Sequence, residues 1–187
     1  MALELNGTTG VSAVQNGAVT AADLTSTLDL TGKTVTLPNG TIGSGDLPAG
    51  SVIQVVQDTE DAQVQTSVVN GTYHDSGLLA TITPSSSSNK ILVIASVFIR
   101  SRPDNGSQFV FPRLLRNGVT IASSFFEDIE FERSGKDVTF CYLDNPSTTS
   151  SVSYTFEVAA NGGTNLQINP DNGTTNQSTI TLMEIAG

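Results

Sequence analysis

The sequence predicts an all-β protein, an antiparallel β-sandwich (jelly roll-like) that carries an extended N-terminal stalk or anchor segment. Three observations lead there. Residues 90–100 read KILVIASVFIR, an apolar run in which only Ala95 and Ser96 are small, closed at both ends by charge. The run is too short to span a bilayer and too β-branched to favour a helix, so it reads as a strand buried on both faces. Residues 151–158, SVSYTFEV, alternate and place Val152, Tyr154, Phe156 and Val158 on one face. Two apolar runs, 109–116 and 119–123, flank Asn117-Gly118, which is the strongest short hairpin signal in the chain.

Residues 1–48 differ from the rest and are expected to form the anchor, with the sandwich head spanning 49–187. All 11 aromatics lie at or after Tyr73, so the first stretch has nothing large with which to build its own core. It does contain a weak repeat: Asn16-Gly17-Ala18-Val19 leads to Asp23-Leu24, and 23 positions later Asn39-Gly40-Thr41-Ile42 leads to Asp46-Leu47. Two copies are too few for a solenoid, but they suggest short extended segments separated by Asn-Gly turns. Val11, Val14, Val19, Leu24, Leu28 and Leu30 space apolar groups along it and are candidates for docking on a partner surface.

Pro48-Ala49-Gly50 marks the boundary, and 51–57 reads as the first strand of the head. The acidic 58–61 is expected as a loop. A more polar strand over 63–69 ends at Asn70-Gly71, and 77–83 is a strand stopped by Pro84 and a serine run. After the central strand, 102–108 is a loop by its Pro, Asp, Asn and Gly. The hairpin follows. Residues 125–131 and 138–143 make two strands about a turn at 134–136, and Asp144-Asn145-Pro146 breaks the chain. The strand over 151–158, a short strand at 166–168, a long polar loop over 170–177 and a last strand over 178–185 complete eight to ten strands with no convincing helix.

Charge and composition exclude several functions. Charged residues make up 14% and the net charge is −10, with no basic cluster able to displace counterions from phosphate. Nucleic acid is therefore an unexpected partner, as are anionic lipid surfaces. No stretch is long and apolar enough for membrane insertion, and residues 1–4 lack the basic and apolar parts of a signal peptide, so assembly in a cytoplasm is expected. Cys141, the single cysteine, rules out an internal disulfide and reads as a small buried core residue.

Few residues suggest chemistry. Asp128, Glu130 and Glu132 share one strand face and are a weak calcium candidate, since calcium wants hard oxygen donors. They lack the glycine-bearing loop that would curl oxygens around an ion, and a solvated strand face explains them as well. His74 sits between Tyr73 and Asp75-Ser76, too close in sequence for a catalytic triad, and is expected in a loop. One His and one Cys cannot complete a zinc shell. Gly43-Ser44-Gly45 lacks the third glycine of a dinucleotide motif, so no cofactor is expected. Six glycosylation sequons, at Asn6, Asn39, Asn70, Asn105, Asn172 and Asn176, are explained by the many Asn-Gly-Thr turns. A polysaccharide-cleaving enzyme would need paired carboxylates across a groove, whereas these acids lie along one strand. The expectation is a non-enzyme.

Five segments carry a resemblance: GSVIQVVQ (50–57), ATITPSSSSNKILV (80–93), LLRNGVTI (114–121), YLDNPSTTSSVSYTFEV (142–158) and TITLMEIAG (179–187). Together with LNGTTGVSAVQNGAVTAADL (5–24), they resemble the C-terminal domains of tailed-phage fibre, spike and virion appendage proteins, especially those of marine phages. The resemblance implies a homotrimer in the virion, attached to other virion proteins through its slender N-terminal part, with a jelly-roll head pointing outwards. It implies a fibre or spike whose head contacts a host surface glycan or protein, or alternatively a capsid decoration protein docked through its N-terminal segment. The polar, Asn-rich loops then supply the receptor-contact candidates, Arg102, Asp104 and Asn105 in one and Asp171, Asn172 and Asn176 in the other.

Overall fold

The computed structural model of the chain describes residues 42–67, 70–102, 108–128, 134–162, 165–170 and 176–187. The docking candidates Val11 to Leu30 lie outside these residues, as do Asp104, Asn105, Glu130, Glu132, Asp171 and Asn172.

Eleven strands are described: β1 (Val52–Glu60), β2 (Val64–Ser67), β3 (Tyr73–Ile82), β4 (Lys90–Arg102), β5 (Gln108–Arg116), β6 (Val119–Ser123), β7 (Phe126–Asp128), β8 (Ser134–Asp144), β9 (Val152–Asn161), β10 (Asn165–Ile168) and β11 (Ser178–Ile185). They form two antiparallel sheets. One runs β1-β11-β4-β10-β2 with β8 on the other side of β4, and the second runs β3-β9-β5-β6 with β7 on β5. The pairing is nested. The β5–β6 hairpin is innermost, then β4 with β8, β3 with β9, and outermost β1 with β11. A long hairpin of this kind, rolled so that successive pairs fall in alternate sheets, is a jelly roll.

The β5–β6 hairpin turns as its sequence requires. Asn117 and Gly118 both have positive φ, 49° and 78°, the two left-handed positions of a type I′ turn. Between the sheets, Val93, Val97, Leu114, Phe156 and Leu182 are fully buried, with the Phe140 ring edge-on to Phe156 at 5.5 Å.

Five expectations are corrected. The central strand β4 is fully buried on one face only. Ile91, Val93, Ala95 and Val97 point into the core, while Leu92, Ile94, Ser96 and Phe98 are half-exposed on the outer face of the six-stranded sheet. An unbroken apolar run looks alike on both faces, which hides this. Cys141 is exposed, because β8 turns Val138, Phe140 and Tyr142 towards the core and Cys141 and Leu143 outwards.

Residues 58–60 continue β1 instead of looping. Their carboxylates take up neighbouring amides: Asp58 accepts from Leu79 N at 2.9 Å and Glu60 from Ala62 N at 2.7 Å. His74 lies on β3 opposite Val158, ahead of an irregularity between Asp75 and Leu79 where Gly77 takes φ 85° under the Glu60 side chain. Residues 134–136 extend β8 alongside the far end of β4. Gly135 serves close approach there and not a turn, since a Cβ on it would stand 2.5 Å from the Phe98 ring.

Candidate functional site: the two ends of the head

Strand register gives the head two distinct ends. At the first end β1 begins and β11 finishes, and Gly50 N donates to Ala186 O at 2.8 Å where the chain enters the sandwich. The starts of β4 and β9 and the ends of β5 and β8 lie there too. The five segments that carry the family resemblance meet at this end, in two polar clusters.

In the first cluster Glu184, wholly buried, accepts from Gln54 Nε2 at 2.5 Å, Ser85 N at 2.6 Å, Ser85 Oγ at 2.8 Å and Asn89 Nδ2 at 2.6 Å. Asn89 Oδ1 in turn accepts from Gly187 N at 3.2 Å. Burial alone would push the Glu184 carboxyl up. The donors from Asn89, Gln54 and Ser85 favour the charged form more strongly and hold it below its ordinary value.

In the second cluster Arg116 Nη1 donates to both Asp144 oxygens at 3.0 Å, and Tyr154 OH donates to Asp144 Oδ2 at 2.7 Å. Burial, then the hydrogen bond to the Asp144 carboxylate, raises the Tyr154 phenol far above its ordinary value, so it stays a donor. Asn117 Oδ1 accepts from Ser153 N at 2.9 Å and ties the innermost hairpin to β9.

Both carboxylates are spent on fixed partners, so their chemistry is structural. Neither acid stood out as a candidate in the sequence, yet each carries a signal. Glu184 falls in phase with Ile180 and Leu182, and Asp144 with Phe140 and Tyr142, so strand alternation already turns both acids towards the core.

The flanks of the two loops that hold the receptor-contact candidates lie away from the first end. Arg102 closes β4 and Gln108 opens β5, while Pro170 and Asn176 bracket the second loop. The two loop bases, drawn from distant parts of the sequence, both lie away from where the chain enters, the first at the tip of β4 and the second part-way along its edge, where β10 gives way to β11. Asn169 anchors the second base. At φ 50°, its backbone N donates to Phe98 O at 3.0 Å, and its side-chain amide reaches Glu60 O at 3.1 Å and Ala62 O at 3.3 Å. Its Oδ1 accepts the Ser178 hydroxyl. Asn176 Nδ2 donates to Pro170 O at 2.6 Å and closes the loop base. Of the calcium candidates only Asp128 is described, as the last residue of β7; Glu130 and Glu132 lie outside the described residues.

No protein-family model matches the chain and no curated protein matches it significantly. Among solved structures, the chain is similar to a chain of the infectious bursal disease virus particle, with TM-score 0.41 and 13% identity over 82% of this chain and 40% of that one. The VP2 subviral particle of the same virus gives TM-score 0.39 and 13% identity, covering 88% and 46%. The endospore appendages of Bacillus, described as disulfide-linked pili, give TM-score 0.31 and 12% identity, covering 75% and 96%. The chain spans less than half the length of these viral chains. With scores this low, the fold assignment rests on the strand pairing itself.

Proposed function

We propose that the chain is a non-enzymatic structural protein of a phage virion. Its N-terminal segment holds the particle and its head presents the opposite end to a host surface. The observation that carries this reading is the polarity of the head. The chain enters at an end locked by buried carboxylates, and the bases of both Asn-rich loops lie away from it, one at the far tip of β4 and one further back along its edge. A protein that must transmit attachment needs one rigid end to be held by and a second end free for contact. Assembly takes place in the host cytoplasm, and the contacted surface is a glycan or a protein.

Ile42 and Leu47 are exposed apolar residues just ahead of β1 and suit docking on other virion proteins. They favour the capsid decoration reading as a second possibility. Gold-labelled antibody against the head, applied to intact particles of the encoding phage, separates the readings. Label at the tail tip supports the spike, and label over the capsid supports the decoration protein. Particles without label overturn the virion reading altogether.

A further inference from the structure

Among the described residues, the outer face of the six-stranded sheet has an unusual composition for a chain carrying −10. Pairing registers set Val55, Met183, Leu92 and Leu143 side by side across four strands. Val55 and Leu143 are 56% and 51% exposed. The next row holds Ile94 and Cys141, and beyond it the row is hydroxylic. The polar groups of these rows already serve each other: Gln57 Nε2 donates to Thr181 at 2.9 Å, and Ser96 and Thr139 lie 3.2 Å apart. The face can thus be buried without orphaning them. Its exposed charges among the described residues are Lys90 at one end and Asp137, opposite Phe98, at the other. Arg100, beyond Phe98, is almost fully buried and bonded to Gln167.

The chain is acidic overall, so two copies repel unless they meet where acid is sparse and signs are matched. This face satisfies both conditions for one partner, a second copy of itself. We propose that two copies pack outer face to outer face, with strands antiparallel, about a two-fold axis that crosses the strands at the Ile94–Cys141 row. That row lies midway between Lys90 and Asp137 along the strands, as the register from Ile94 to Phe98 shows. The axis therefore brings the Lys90 end of each copy to the Asp137 end of the other. It also places the two Cys141 residues beside each other, within the ~10 Å spacing of packed sheets. A homotrimer, which the fibre resemblance implies, would with its three-fold axis along the strands gather three Lys90 groups at one end and three Asp137 groups at the other. The inference stands apart from the virion reading, and copy number can fail where particle labelling succeeds.

The test uses the full chain in solution. Light scattering gives twice the 19.5 kDa chain mass. A short bismaleimide joins wild-type chains into a covalent pair through Cys141, and Cys141→Ser abolishes the joining but not the mass. Lys90→Asp or Asp137→Lys alone weakens association about tenfold, and the double variant restores it. Leu143→Arg gives monomers with an unchanged melting temperature. The two charge variants, on exposed strand positions, keep the test open should Leu143→Arg fail to fold. A monomeric or three-copy mass overturns the proposal. So does a double variant no tighter than the singles, or a Cys141 shielded from reagent in a monomeric chain, which would mark another segment as the cover.

Discussion

Glu184 and Asp144 are acids on core-facing strand positions, and each is held by a different kind of partner. Around Glu184 the donors are neutral, so the stabilisation depends on the carboxylate being charged. Its carboxyl lies below the ordinary value of 4.5 in the fold. The contribution is therefore complete above that value, and it is lost as pH falls through the lower folded value. Glu184→Gln is expected to cost about 1–3 kcal/mol at neutral pH and to flatten the acid limb of stability, read by urea midpoints from pH 3 to 7. Asp144 has a cationic partner. Arg116→Met, which leaves a buried carboxylate without its counter-charge, is expected to cost about 3–5 kcal/mol, whereas Tyr154→Phe removes one donor and costs about 1–2 kcal/mol. Denaturation of the two variants side by side checks the order, and a larger loss for Tyr154→Phe would refute it.

Elements differ in how plainly the sequence announces them, and the differences have physical causes. β6 and β11 match their expected bounds because turn residues or a polar loop stop them. β3 and β8 begin before their apolar runs do, since pairing with β9 and β4 recruits polar residues such as His74 and Lys136 into the ladder. Backbone hydrogen bonds do not register in hydropathy. The outward side of β8 was equally hidden, because Cys141 and Leu143 are as apolar as the inward residues between them. Among the turns, Asn117-Gly118 was the clearest, and its two roles can be separated. Asn117→Gly keeps the left-handed turn but loses the bonds to Ser153, at a cost of about 1 kcal/mol. Gly118→Val puts a β-branched residue at φ 78° and is expected to cost more, about 2 kcal/mol. Thermal melts of both variants decide the order.

At the level of the whole molecule, almost every pairing joins the first half of the head to the second. β1 finds its partner in β11, and the pairs of the intervening strands are nested between them. Non-local pairing of this extent makes folding slow. Refolding of the head is expected on the ms–s scale typical of β-sandwiches, with a single dominant phase, as stopped-flow tyrosine fluorescence would show. Removing β11 strips β1 and β4 of their shared neighbour at once, so a chain ending before Ser178 is expected to lose the fold instead of a single edge.

The same nesting has a consequence during synthesis. A ribosome adding about 5–20 residues per second finishes β1 several seconds before β11 exists, and meanwhile β1 and β3 have no lasting partners. Until β11 is made, the outermost strand pair stays open. A prematurely terminated copy cannot assemble the locked end at which Glu184 and Gly187 join the serine-rich loop. A chain that stops before β11 is therefore expected to be cleared as unfolded protein.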